Sequence, residues 1–372
     1  MENLQQKLLV VHSSCTNEFN NQYDLNYLTM KKYILVLLTI TSSFLLNAQS
    51  VDGGPLNIPV DGIVDGIYIQ EHIPTKRLVP YEFVREADVM FQKRVWRYID
   101  LREKINHPLY FPMDEISDAA GWVRNTNRWS LWTVIRHHIL KGDIIMYEPE
   151  NPNALGSFDG DLFKYPVFPA AGKNYDTDSA FQKKVKEMLS IEIIPRDQQG
   201  NPIIERDANG DPVIWKNPET GVDEEKRVPP ILNWFTSKDI IEYRIKEDWF
   251  FDKERSQFDV RILGLSPVVF DCEYDEKGIP TLVKGKKELC WLYFPHCRFY
   301  FVNYNVYNPK NDANWMSFDD LFQKRMFNSS IYKQSNIFDR SLDSYKSGIE
   351  ALYESQRITE ELRNFEHDLW HF

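Results

Sequence analysis

The stretch from Tyr81 to Pro112 reads YEFVREADVMFQKRVWRYIDLREKINHPLYFP and packs charge and large aromatic side chains into one glycine-free segment. Arg85, Lys93, Arg94, Arg97 and Arg102 alternate with Glu82, Glu86, Asp88, Asp100 and Glu103. Asp100 and Lys104 stand at the i, i+4 spacing that supports a helix, so the run predicts a helix from Tyr81 to about Lys104. Asn106-His107-Pro108 ends it, because proline restricts the residue before it and cannot continue the hydrogen-bond ladder.

A second constraint sits upstream. Met30-Lys31-Lys32 is a basic start, Tyr33–Leu46 is apolar, and Leu46-Asn47-Ala48 places a small residue before Gln49. Together, residues 30–48 read as a secretory signal peptide. The fourteen residues of its apolar stretch fall short of the roughly 20 that a membrane span needs. A short buried helix is the competing reading, against which the basic start and cleavable end speak. Residues 1–29 read as a misassigned upstream extension, with Met30 the initiator; a disordered extension is the alternative. Gln49, not a cysteine, stands directly after the cleavage point, so the expectation is a periplasmic protein without a lipid anchor on an N-terminal cysteine.

The chain carries 44 Lys and Arg against 55 Asp and Glu, a formal net charge of −11. Residues 1–48 hold three of each sign, so the mature chain keeps that balance. Nucleic acid is excluded as a partner, since it demands a basic face, and so is peripheral binding to an anionic membrane. Aromatic residues make up 14%, ample for one sizeable core with some left for partner surfaces. With Cys15 in the upstream region, Cys272, Cys290 and Cys297 remain. Cys272 and Cys290 flank the hairpin signal Asp275-Glu276-Lys277-Gly278, and an oxidising compartment would permit a disulfide between them, leaving one odd thiol. A zinc site from Cys272, Cys290, His296 and Cys297 lacks the closely paired ligands of structural zinc.

Along the chain, Gly/Pro-punctuated residues 49–75, with the echo Asp61-Gly62-Ile63-Val64-Asp65-Gly66-Ile67, read as an extended arm able to wrap a neighbour, or as a linker. Trp129–Leu140 reads as a helix closed by Gly142, and Asp143–Tyr147 as a strand. The tandem RDQQGNPII and RDANGDPVI read as hairpin corners. Asp207, Asn209 and Asp211 begin like a calcium loop, but Pro212 and Pro218 stand where that loop needs Gly and Glu. A second charged helix is predicted over about Ser237–Arg255. Strands follow at Phe258–Leu263, Pro267–Tyr274 and Leu289–Phe294. Asp-x-x-Phe-Gln-Lys recurs at Asp88, Asp178 and Asp319, either as three equivalent helices or as a commonplace helix opening. In the tail from Ser341 to Phe372, Tyr345, Ile349 and Leu352 form one apolar stripe. Ile358, Leu362, Phe365, Leu369 and Phe372 form another, with a phase slip that implies two helices or a kink.

Motifs of catalysis are missing from the sequence. Gly156-Ser157-Phe158-Asp159-Gly160 has no central serine for a nucleophile elbow, and neither His-Glu-x-x-His nor a phosphate-binding loop with Lys occurs. His137 and His138 would point about 100° apart on a helix, with one of them against the core or a carboxylate.

The Tyr81–Pro112 run resembles the GldN/PorN family, periplasmic gliding-motility proteins of the Bacteroidetes type IX secretion system. Leu292-Tyr293-Phe294-Pro295, Met316-Ser317-Phe318-Asp319-Asp320-Leu321-Phe322 and Glu366-His367-Asp368-Leu369-Trp370 carry the same resemblance, which spans the chain from about Val60. It implies a non-catalytic structural subunit that assembles in rings with the outer-membrane lipoprotein GldK/PorK. It further implies contact with the periplasmic part of the inner-membrane GldL/GldM (PorL/PorM) motor. No catalytic, cofactor or metal residue follows from it. Arg94, Trp96, Arg97, Ile358, Leu362, Phe365 and Leu369 are the expected partner contacts, since Arg and Trp dominate interface energetics. The expected fold is α+β: helices flanking an antiparallel β meander in a core domain over 76–312, with a helical tail over 313–372. The competing class is a periplasmic carboxylate-dependent hydrolase or cell-wall binding protein, which requires carboxylates within reach of each other in a polar cleft.

Overall fold

Val89–Asp100 is a strand, β1, and Ile240–Asp252 is a second, β4. Both replace expected helices, at 81–104 and 237–255. The reason is visible in their antiparallel register: Arg94 faces Asp248, Trp96 faces Lys246, Tyr98 faces Arg244 and Asp100 faces Glu242. Arg94 thus finds its counterpart across the strands, where opposite charges also stabilise, whereas Asp100, opposite Glu242, is held by Arg102 two residues on. The alternate positions carry Val95, Ile99, Tyr243 and Ile245, all buried. Ile241-Glu242-Tyr243-Arg244-Ile245-Lys246 is thus a period-two pattern with one apolar and one charged face.

The structure, a computed structural model, describes residues 77–368 apart from 118–120, 124–127, 155, 194–202, 207–211, 217–222, 226–227, 229–230, 275–279, 312–313 and 315. The expected signal peptide, the arm over 49–75, and Leu369 and Phe372 lie outside the described residues. One sheet dominates. Its other strands are β2 (Met146–Tyr147), β3 (Pro166–Val167), β5 (Gln257–Tyr274), β6 (Pro280–Glu288), β7 (Trp291–Tyr293) and β8 (Ser330–Gln334). The order is β8-β1-β4-β5-β7-β2-β3, with β6 pairing the distal half of β5. Every pairing is antiparallel. β5 merges two strands that the sequence separates, because Gly264-Leu265-Ser266 continues to pair with β4. The fold is α+β, as expected.

The helices are α1 (His107–Tyr110), α2 (Leu131–Lys141), α3 (Ser179–Leu189), α4 (Phe294–Phe301), α5 (Phe318–Gln323) and α6 (Ile349–Asp368). Pro108 opens α1 rather than closing a longer helix, a position where its missing N–H costs nothing. The Ser130 hydroxyl accepts from the Thr133 N–H to start α2, and Gly142 at φ 87° ends it, a left-handed cap that suits glycine. The Asp-x-x-Phe-Gln-Lys repeats have three fates. Asp88 precedes a strand, Asp178 caps α3 through the Ala180 and Phe181 N–H groups, and Asp319 lies inside α5. The tail holds one continuous helix, α6, rather than the expected kink. Around the second of the tandem corners, Arg206 bridges Pro212.

One sheet face and α2, α4 and α5 enclose a large apolar core that includes Ile99, Trp132, Ile135, Tyr243, Phe294, Phe301 and Phe322. A smaller core of Val95, Ile331, Leu342, Ile358 and Leu362 lies under α6. Glu247 on β4 is fully buried, and both nitrogens of the Arg325 fork reach its carboxylate, at 2.9 and 3.2 Å. A second internal pair, Arg298 of α4 with Asp319 of α5, is bidentate at 2.7 and 3.1 Å, and Arg298 also donates to the Val79 carbonyl at 2.9 Å. Removing one member of such a pair leaves the other charge uncompensated. Arg298→Met is therefore expected to lower the unfolding free energy by about 3 kcal/mol or more. Arg298→Met combined with Asp319→Leu should recover most of that loss, as read by urea denaturation.

Candidate interaction surfaces

The face of β1 and β4 opposite the large core is built from charge and aromatics. Arg94 grips Asp248 through two bonds of 2.6 and 2.7 Å, and Gln92 donates to the same carboxylate at 2.9 Å. The Trp96 indole donates to Asp161 at 3.0 Å, and the Lys246 ammonium reaches the same residue's carbonyl at 2.6 Å. Lys333 on β8 lies over the Trp96 ring at 4.7 Å. Further along, Arg244 binds Glu288 at 2.6 Å and Lys286 binds Glu242 at 2.5 Å. The loop that brings Asp161 also lays Phe163 on the sheet. A Cβ at Gly264 would stand only 3.0 Å from the Phe163 ring and 3.1 Å from Trp291, so glycine leaves the needed room. Burial pushes the Lys246 ammonium below its ordinary range, with Asp161 opposing. Each of these carboxylates meets a base; Glu242 and Glu288 approach each other only across the shared Arg244.

This geometry relocates most of the expected partner contacts. Trp96 and Arg97 are 6% and 7% exposed, inside the protein. Burial also holds the Arg97 guanidinium below its usual range, against the attraction of Glu247. Ile358 and Leu362 form the buried stripe of α6, and Phe365 stacks on Phe91 at 4.1 Å between ring centres. Of the expected contacts that are described, Arg94 and Phe365 are only partly buried, and Arg94 is bound to Asp248. These residues build the platform. What the platform leaves open is the other apolar stripe of the tail: Ile349, Leu352 and Tyr353 on the first turns of α6 are 71%, 54% and 67% exposed, with Tyr345 just before them. Ile337 and Phe338, exposed at the tip of the loop after β8, flank the same short 3-10 turn, Leu342–Ser344.

A second feature opens between α1 and α5. A groove of about 1050 Å³ is walled by apolar side chains, among them Ile105, Phe111, Met316 and Leu321, and rimmed by Lys104, Arg128, Lys310 and Arg325. No acidic residue lines it among the described residues.

The cysteines do not pair. Cys272, Cys290 and Cys297 are free, which corrects the expected Cys272–Cys290 disulfide. β5–β6 register sets Cys272 opposite Val283, whereas Cys290 lies beyond Glu288, the end of β6, which pairs with Val268; that offset exceeds the roughly 7 Å that a disulfide spans. Burial pushes the Cys290 thiol up to about 12 and the Cys297 thiol higher still. His138 is buried, with one ring nitrogen against Asp143 and the other against the Tyr304 hydroxyl, both at 2.8 Å. Thus one of the paired histidines does meet a carboxylate. Among the described residues, no group of three or more His, Cys, Asp or Glu side chains could hold a metal ion. No helix of the described residues is long and apolar enough to cross a membrane.

Residues 84–371 match the family described as gliding motility associated protein GldN. The chain belongs to the GldN family. No curated protein matches it. Membership associates the chain with gliding motility and the type IX secretion machinery, and the family is not a known enzyme family. The family match begins just before β1 and runs through the whole described sheet and α6.

The two stripes of the tail helix separate cleanly by substitution. Ile358→Ala and Leu362→Ala are each expected to cost about 2–4 kcal/mol. Leu352→Ala and Tyr353→Ala should stay within about 0.5 kcal/mol, as measured by chemical denaturation. In thiol titration near pH 8 with the chain from Gln49, Cys272 should react promptly. Cys290 and Cys297 should react only after unfolding, because the buried thiol is not the reactive form.

Proposed function

We propose that this chain is a non-catalytic structural subunit of the type IX secretion and gliding machinery, working in the periplasm. In this reading it assembles with an outer-membrane lipoprotein of the GldK/PorK kind into a ring that the GldL/GldM (PorL/PorM) motor contacts. The observation that carries the reading is the family match over residues 84–371. The signal-peptide pattern over 30–48 supports export, and the acidic balance fits neither nucleic acid nor an anionic membrane. The geometry favours a scaffold as well: the ionic ladder of β1 and β4 sets acids against bases, which rigidifies a sheet rather than raising a reactive group.

The subunit contact belongs to the exposed stripe Ile349, Leu352 and Tyr353 and the loop tip Ile337–Phe338, which leave apolar surface in water. The residues expected from the sequence act beneath it. Ile358, Leu362 and Phe365 seat α6, while Trp96 and Arg97 stiffen the strand on which it rests. Arg94 remains a candidate contact through its half-open edge, and Leu369, outside the described residues, remains one on the sequence alone.

Co-expression of the chain with the lipoprotein, tagged pull-down and particle imaging test this reading. Large rings containing both proteins are the expected result; a lone monomer in every preparation would overturn it. Leu352→Glu with Tyr353→Glu should abolish co-purification while leaving the circular dichroism spectrum and melting midpoint unchanged.

A further inference from the structure

The groove between α1 and α5 is at odds with the protein that carries it. The chain is acidic by eleven charges, yet the described lining of this groove is apolar below and basic at the rim. Arg325 spends its charge on Glu247, and Arg128 lies over the Tyr307 ring at 5.3 Å. Lys104 and Lys310 are exposed, and Ile105, 56% exposed, lines the groove with them. A groove of this chemistry fits an extended segment that alternates apolar and acidic residues.

The sequence outside the described residues contains such a segment. From Gln49 to Thr75 there are four carboxylates, Asp52, Asp61, Asp65 and Glu71, and no Lys or Arg. Within it Val60–Ile69 reads VDGIVDGIYI, with Ile63, Val64, Ile67 and Ile69 set among Asp61 and Asp65. Reach is not an obstacle. The Tyr81 hydroxyl accepts from Gln323 of α5 at 3.3 Å, and Leu321 of that same helix lines the groove. Tyr81, a few residues into the described chain, therefore lies one helix away from the groove. A helix with its side chains is roughly 10 Å across, whereas the eight residues from Ile69 to Arg77, the first described residue, span up to about 27 Å when extended.

We propose that Val60–Ile69 of this chain occupies the α1–α5 groove, its isoleucines on the apolar floor and Asp61 and Asp65 against Lys104 and Lys310. The occupant is the chain's own segment, because Tyr81, bonded to Gln323 of α5, holds that chain beside the groove. This assignment stands apart from the lipoprotein and motor contacts proposed above, since it needs this chain alone.

The test uses the whole chain from Gln49 with Cys272→Ser, Ile63→Cys and Ile105→Cys, under mild oxidation, with the linked peptides mapped by mass spectrometry. A 63–105 link at monomer mass is expected; a link found only at twice that mass would overturn the proposal. Lys104→Glu with Lys310→Glu should cut the yield about fivefold or more, without moving the melting midpoint. Ile63→Cys paired with Leu282→Cys, an exposed position on β6, serves as the control. A 63–105 yield no higher than this control would overturn the proposal, and so would a yield indifferent to the charge reversals.

Discussion

The described structure depends on the register of β1 against β4. A one-residue slip would turn Val95, Ile99, Tyr243 and Ile245 away from the core and drive Arg94, Lys246 and Asp248 into it. The bidentate Arg94–Asp248 pair and the Trp96–Asp161 hydrogen bond lock that register from the outer face. The inner face supplies the burial that stabilises folding. β1 then serves two masters. Its central Val95 belongs to the small core under α6, while Ile99 belongs to the large one. Glu247, on the strand alongside, is the fully buried charge tied to Arg325 just after α5. The position of α6 is in this way set by the same strand that organises the main sheet.

How much of this was legible depended on where each partner stood in sequence. α2 could be read directly because its signals are local: the apolar spacing and the terminal glycine lie within one short stretch, and the Ser130 cap, which the sequence reading passed over, stands beside them. The helical tail was legible for the same reason, and so was the α+β class. β1 and β4 were not. Charges on alternate residues of one strand also meet helical spacing, and the partners that decide between the two readings lie about 150 residues away. The signal that was present, the period-two run Ile241 to Lys246, was masked by the charged residues Glu247 and Asp248 that follow.

The surfaces were legible only in part. The sequence identified two apolar stripes in the tail but not which one would be consumed in packing; that choice is made by Val95 and Ile331, which are remote in sequence. Arg and Trp in β1 looked like interface anchors because those residue types often are, yet here the indole and guanidinium are satisfied internally. The groove had no local signature at all. Its lining comes from residues 104–112, Arg128, 307–310 and 316–326, and no one of these is unusual alone.

The lysines of β6 have a bearing on how copies of such a subunit can meet. β6 pairs β5 on one side and carries Lys284, Lys286 and Lys287 on a nine-residue strand with a glycine at its centre. At the two ends of the strand order, β8 has five residues and β3 only two. Short or lysine-bearing borders discourage backbone pairing with another sheet. Any contact between two copies through this sheet is thereby steered away from fibre-like continuation of strands and toward side chains, which can let go without unravelling the sheet.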